Sequence, residues 1–120
     1  MAFNMRNVTF RGKTRETRIW VYGNLLVNSL DAPLIRDADN LYWYVIPDTV
    51  GEATGAKDSD GNEIYEGDYL RIPFLSKKEK YLVTYDNGAF ILGGSGEYLR
   101  TFTANDIGRY VIGNRFDFKP

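Results

Sequence analysis

The chain has 120 residues, a net charge of −1, and neither cysteine nor histidine. It is long enough for one compact domain, or two small ones, without covalent staples. The absent residue types exclude a disulfide framework, a thiolate metal site, a cysteine nucleophile and any serine–histidine triad. The first 20 residues are polar and Arg-rich with no apolar leader core, and no stretch approaches a membrane span. A cytoplasmic, cofactor-free protein with no membrane contact is expected.

Charge is unevenly spread. Residues 1–30 carry net +4, residues 31–68 net −8, and residues 69–120 net +3. Aromatic residues make up 15% of the chain and glycine is frequent, a mix that favours short strands and tight turns.

In chain order, residues 1–17 alternate weakly around Phe3, Val8 and Phe10 and turn basic at Arg11-Gly12-Lys13. Arg18–Tyr22 and Leu25–Val27 flank Gly23-Asn24, which predicts a hairpin. The Asp-rich segment Asn28–Asn40 reads as loop with at most one helical turn, because Pro33 disfavours helix before it. Leu41–Ile46 is an apolar run of strand length, expected to be buried on both faces and ended by Pro47. Trp20, Tyr42, Trp43 and Val45 are the expected anchors of this half.

Asp68–Phe74 alternates as a half-buried strand. Tyr81–Tyr85 and Ala89–Leu92 flank Asp86-Asn87-Gly88, the clearest hairpin signal in the chain. Gly93–Gly96 reads as a hairpin connection, with further strands over Glu97–Phe102 and Arg109–Ile112 and a helical turn over Thr103–Asp106. No apolar period of 3.6 residues is sustained, so the chain is mainly β. Five short strands in the second half suit a small, partly open barrel. Its expected core is Leu70, Ile72, Leu82, Phe90, Leu92, Val111 and Ile112, with an N-terminal β-rich segment packed on it.

Between the halves lies Thr54–Asp68, TGAKDSDGNEIYEGD, the densest run of turn signals. Its spacing resembles the hallmark of the YopX family of phage and prophage proteins, T-G-x-x-D-x-x-G-x-x-I-Y-E-G-D. Thr54, Gly55, Asp58, Gly61, Ile64, Tyr65, Glu66, Gly67 and Asp68 supply it. Arg11-Gly12-Lys13, Trp20–Gly23, Pro47–Gly51 and Val111–Asn114 agree with the family in the flanks, whereas Arg115-Phe116-Asp117 departs from its usual Ile-Tyr and acidic residue. The resemblance implies a phage or prophage protein with an SH3-like barrel in the second half. It implies no activity. Domain limits are expected at 1–53 and 54–120.

No constellation reads as catalytic or metal-binding. If Gly61 is set on the invariant glycine of a calcium loop, Ala56 and Gly67 fall where two of the most important ligands belong. Glu63, Glu66 and Asp68 are a local carboxylate cluster with no sign of convergence on a pocket. Gly61 and Gly67 are expected to set turns, Ile64-Tyr65 to pin the corner in the core, and Asp68 to start the next strand.

The candidate binding surface is Arg11, Lys13, Arg15, Arg18, Trp20 and Tyr22, where cations accompany rings. The expected role is that of a non-enzymatic accessory protein working through contacts with a phage or host protein, or with further copies of itself. The alternative is a nucleic-acid-binding barrel, in which these cations hold phosphates and the rings stack on bases.

Overall fold

A computed structural model describes residues 9–27, 32–95, 97–99 and 108–117. The chain divides into two compact units, Met1–Glu52 and Ala53–Pro120. Strand is the dominant element, every pairing among the described residues is antiparallel, and Pro47–Thr49 forms a 3-10 turn. The chain is mainly β. Among the described residues, no helix is long and apolar enough to cross a membrane.

The first unit is built from β1 (Phe10–Lys13), β2 (Trp20–Val27), β3 (Pro33–Arg36) and β4 (Tyr42–Tyr44), in the order β4-β3-β2-β1. Gly51 and Glu52, the start of β5 (Gly51–Lys57), pair with the free side of β1. The outer ends also meet. Thr14 bridges Val45, Arg15 N–H donates to Tyr44 C=O at 3.0 Å, and Ile46 N–H donates to Lys13 C=O at 2.8 Å. This curls the four strands around Ile35 and Val45, both fully buried.

Three expectations fail in this unit. Gly23-Asn24 is no hairpin: β2 runs straight through it, from Trp20 to Val27. Gly23 is required there because a Cβ would overlap the carbonyl of Arg36 on the neighbouring strand, at a φ of 156°. The segment expected to be loop contains β3, in which Pro33 takes the first position and so removes no interior ladder bond. Finally, β4 is short and exposed along its whole length, so Tyr42 and Trp43 stay outside the core, and Trp20 is only half-buried. Tyrosine and tryptophan bring polar tips that tolerate water, so an aromatic run does not by itself specify burial. Val45 is the one expected anchor that lies in the core. Phe3 and Val8 lie outside the described residues.

In the second unit the rest of β5 pairs with β6 (Glu63–Tyr65). A five-stranded sheet follows in the order β10-β9-β8-β7-β11, from β7 (Asp68–Arg71), β8 (Lys80–Asp86), β9 (Ala89–Gly93), β10 (Glu97–Tyr98) and β11 (Tyr110–Asn114). The sheet is open, with β10 and β11 at its ends. β8 and β9 join through Asn87-Gly88 at φ 49° and 83°, the left-handed pair that a two-residue hairpin loop requires. The Gly93–Ser95 part of the next connection leads towards β10, which stops at Tyr98: Leu99, expected within a strand over Glu97–Phe102, is in a 3-10 turn, while Gly96, residues 100–102 and the turn expected at Thr103–Asp106 lie outside the described residues.

The core of this unit is Ile64, Leu70, Ile72, Val83, Leu92 and Leu99, with Phe90, Tyr81 and Val111 packed against it. Leu82 and Ile112 do not belong to it. In YLVTY every residue but threonine is apolar or aromatic, so the phase of alternation is ambiguous, and register puts Tyr81 opposite Leu70 and Val83 opposite Leu92. β7 stops at Arg71 instead of running on to Phe74: Leu75 and Ser76 N–H both donate to Ile72 C=O, which turns the chain and leaves Phe74 outside.

Replacing Gly23 with Ala forces β2 away from β3 and should cost about 3 kcal/mol, as backbone conflicts of this kind do. Urea unfolding checks this; a midpoint unchanged from the parent would contradict the close approach.

Candidate functional site

Two regions of the sequence hold the candidate residues, and they do different work. The corner Thr54–Asp68 is held together by one carboxylate. Asp58 is only 3% exposed. Its Oδ1 accepts Asp60 N–H at 3.0 Å and Asn62 N–H at 2.8 Å, while Oδ2 accepts Asn62 Nδ2 at 3.2 Å and Val111 N–H at 3.0 Å. Burial works to raise its pKa, but the donors of Val111, Asn62 and Asp60 outweigh it and hold the group below the usual carboxylate range. Arg109 reinforces the same junction: Nε and Nη2 donate to Lys57 C=O at 2.9 and 2.6 Å. Ser59 and Arg109 also bond twice, through Ser59 N–H to Arg109 C=O at 2.8 Å and Arg109 N–H to Ser59 Oγ at 2.9 Å.

The other corner residues follow the same logic. Gly61 and Gly67 have φ of 87° and 94° and set the two turns. Ile64 enters the core, Tyr65 is buried, and Asp68 begins β7 with its Oδ2 accepting Tyr65 N–H at 2.8 Å. Gly67 is bonded on both sides, donating to Val83 C=O at 2.8 Å and accepting from Arg115 N–H at 2.9 Å. Thr54 Oγ1 accepts Ala56 N–H at 3.1 Å, Gly55 has a φ of 81°, and Glu66 is half-buried. The carboxylates best placed to attract a cation, Asp58 and Asp68, are already facing backbone donors. No group of three or more acidic residues could hold a metal ion among the described residues.

The first unit supplies a surface. Register sets Arg11 opposite Tyr22, Lys13 opposite Trp20, Asn24 opposite Arg36 and Arg36 opposite Tyr42. Paired residues and every second residue share a side of a sheet, so these side chains, with Tyr44, line one outer face. Tyr22, Tyr42 and Tyr44 are 46%, 58% and 49% exposed.

The sequence brought five of its six candidates to this neighbourhood, in unequal roles. The Arg11 guanidinium lies 4.6 Å from the Trp20 ring centre and is 6% exposed; Lys13 Nζ lies 5.3 Å from the same ring. Arg15 stands 5.8 Å from the Tyr44 ring, and Tyr22 is open to solvent. Arg18 belongs to the exposed β1–β2 turn, at a φ of 56°, where its N–H donates to Thr14 C=O.

Tyr42, Tyr44 and Arg36 were missed as surface residues. The signal was present, since alternation within Leu41–Ile46 already separates Tyr42 and Tyr44 from Trp43 and Val45.

Two clefts open in this unit. One of 460 Å³ is lined by Thr14, Arg15, Glu16, Thr17, Tyr42, Trp43 and Tyr44, and one of 440 Å³ by Thr9, Tyr22, Gly23, Asn24, Arg36, Asp37 and Ala38. Asp37 organises the β3–β4 connection. It accepts Trp43 Nε1 at 2.8 Å, Leu41 N–H at 3.0 Å and Asp39 N–H at 2.9 Å, and the Trp43 and Leu41 donors keep its pKa low.

Asp58→Ala leaves the Val111 and Asn62 amides without an acceptor and should cost about 3 kcal/mol, at the upper end for an unsatisfied buried group. The acid limb follows from the depressed pKa. The carboxylate contributes its stability above the unfolded value of about 4 and loses it as pH falls through the lower folded value. Chemical denaturation across pH 2–7 should therefore show Asp58→Asn less stable at neutral pH and less sensitive to acid; parallel profiles for parent and variant would contradict this.

No curated protein matches the chain. The family model described as YopX protein matches residues 3–117, nearly the whole length and both units, and the chain belongs to the YopX family.

Proposed function

We propose that this chain is a phage or prophage accessory protein that acts without catalysis in the host cytoplasm, through protein–protein contacts on the outer face of β2, β3 and β4. The single observation that supports this most is the row of exposed Tyr22, Tyr42 and Tyr44 beside Arg15 and Arg36. Tyrosine and arginine are the residues that dominate binding energy in protein interfaces, because they present large, rigid contact area with a polar tip. Three exposed tyrosines on one small curled sheet are far more than solubility needs. Each loses few torsions when a partner covers it.

The competing nucleic-acid reading needs Arg11, Lys13, Arg15 and Arg18 to hold phosphates while Trp20 and Tyr22 stack on bases. Arg11 and Lys13 lie against the Trp20 ring, Arg15 lies by the Tyr44 ring, and Arg11 is buried, while Arg18 is exposed in the β1–β2 turn. A face with three of its four cations against the unit's own rings is better suited to a shaped partner than to a phosphate backbone.

A Tyr42→Ala/Tyr44→Ala double variant tests the proposal. Both side chains are exposed, so the fold should survive, with unfolding within about 1 kcal/mol of the parent. Crosslinked capture from infected or induced host cells should recover a discrete protein with the parent and lose it with the variant, and sedimentation should report whether that protein is a second copy. Equal capture by both would place the contact elsewhere, and retention of nucleic acid in its place would favour the competing reading.

A further inference from the structure

We infer that the second unit carries a separate binding site for single-stranded nucleic acid, on the β7–β8 connection and the adjoining sheet face. Residues 71–80 hold Arg71, Lys77, Lys78 and Lys80 against Glu79, a net +3 in a chain whose total is −1. The fold concentrates these charges further. Register sets Arg71 directly opposite Lys80 on neighbouring strands, which brings two cations side by side at the mouth of the connection.

The connection is also shaped. Arg71 Nη1 donates to Lys77 C=O at 3.2 Å, which fixes the guanidinium beside the lysines. Ser76 Oγ accepts the N–H groups of Lys78 and Glu79 at 3.2 and 3.1 Å, and this tight turn presents Lys77 and Lys78 to solvent.

Phe74 makes the second, independent observation. It is 73% exposed at the tip of the preceding turn, while Leu75 beside it packs into the core. Nothing in the turn requires an aromatic side chain there. A ring standing clear of the surface next to a cation cluster matches the two demands of a single strand, a flat apolar face for a base and positive charge for the backbone. A duplex hides its bases and could use only the cations. A single strand uses both.

The site shares no residue with the tyrosine face of the first unit, so the two proposals stand or fall separately. Fluorescence anisotropy of labelled oligo-dT and oligo-rU, each about 12 nucleotides long, tests it on the full chain at about 50 and 200 mM salt. Binding should weaken steeply with salt. Phe74→Ala should lower affinity about tenfold, the loss of one stacked base, and Lys77→Glu/Lys78→Glu should lower it more and flatten the salt dependence. Both variants change exposed side chains only, and circular dichroism should match the parent.

The two oligonucleotides distinguish DNA from RNA as the natural ligand. The proposal is overturned if neither binds at low salt, or if binding is indifferent to both variants. Phosphatidylserine vesicles provide the remaining arm: if they retain the parent and not Phe74→Ala, while neither oligonucleotide binds, the tip is a membrane anchor and the nucleic-acid site is excluded.

Discussion

The second unit depends on the Asp58 carboxylate being buried and charged. A carboxylate taken out of water must be matched by donors, and here the match comes from two places in the sequence. Asp60 and Asn62 lie in the same turn, whereas the Val111 amide belongs to β11, 53 residues away. One group therefore closes a local turn and locks it to the last strand. Arg109 does the same from the other side, by giving two N–H groups to Lys57 C=O. With β11 paired to β7 along Asp68–Arg71, the corner, the strand it launches and the final strand form one cooperative junction. This accounts for the density of polar and glycine residues in the stretch. The residues that define the family in this region are the ones that build the corner.

Local signals were legible in the sequence; signals carried by distant partners were not. Asn87-Gly88 announced its hairpin because the turn's dihedral angles are a property of those two residues. Gly61 and Gly67 announced their turns for the same reason. Gly23 looked identical in sequence but has a different cause: the carbonyl of Arg36 comes too close for a side chain. A turn glycine and a close-approach glycine cannot be told apart without knowing the neighbouring strand. The same gap hid β3, whose four residues sit in an Asp-rich stretch and become a strand because Asn24–Val27 and Tyr42–Tyr44 pair on either side. The bond from Val111 N–H to Asp58, 53 residues apart, likewise had no local signature.

Burial was the least legible quantity, for a reason specific to aromatic side chains. Leu41–Ile46 is as apolar as a core strand, yet only Val45 in it is fully buried. The curling of the sheet turns Ile35 and Val45 inward and leaves Tyr42 and Tyr44 outward. For the candidate face, the sequence offered Arg11, Lys13, Arg15, Arg18, Trp20 and Tyr22 as one group, and strand register sets Arg11 opposite Tyr22 and Lys13 opposite Trp20, with Arg18 in the turn between their strands. Alternation within Leu41–Ile46 separates the tyrosines of β4 from Val45, but they join this face only through β3, a strand the sequence hid.

The two units combine the same residue types, aromatic rings and cations, with different exposure. In the first, Arg11 and Lys13 lie on Trp20 and Arg15 lies by Tyr44, so much of the attraction between cation and ring is satisfied internally. Such pairs hold long side chains in one conformation and reduce the entropy lost when a partner docks, which favours recognition by shape. In the second, Arg71 and Lys80 face one another across a strand pair while Phe74 stands clear of the surface. That arrangement gathers positive charge beside an exposed apolar ring, which is what a negative ligand with a flat face would use. The two proposed surfaces therefore differ in what they offer within a single 120-residue chain: exposed tyrosines with cations held against rings on one, and exposed lysines beside an exposed phenylalanine on the other.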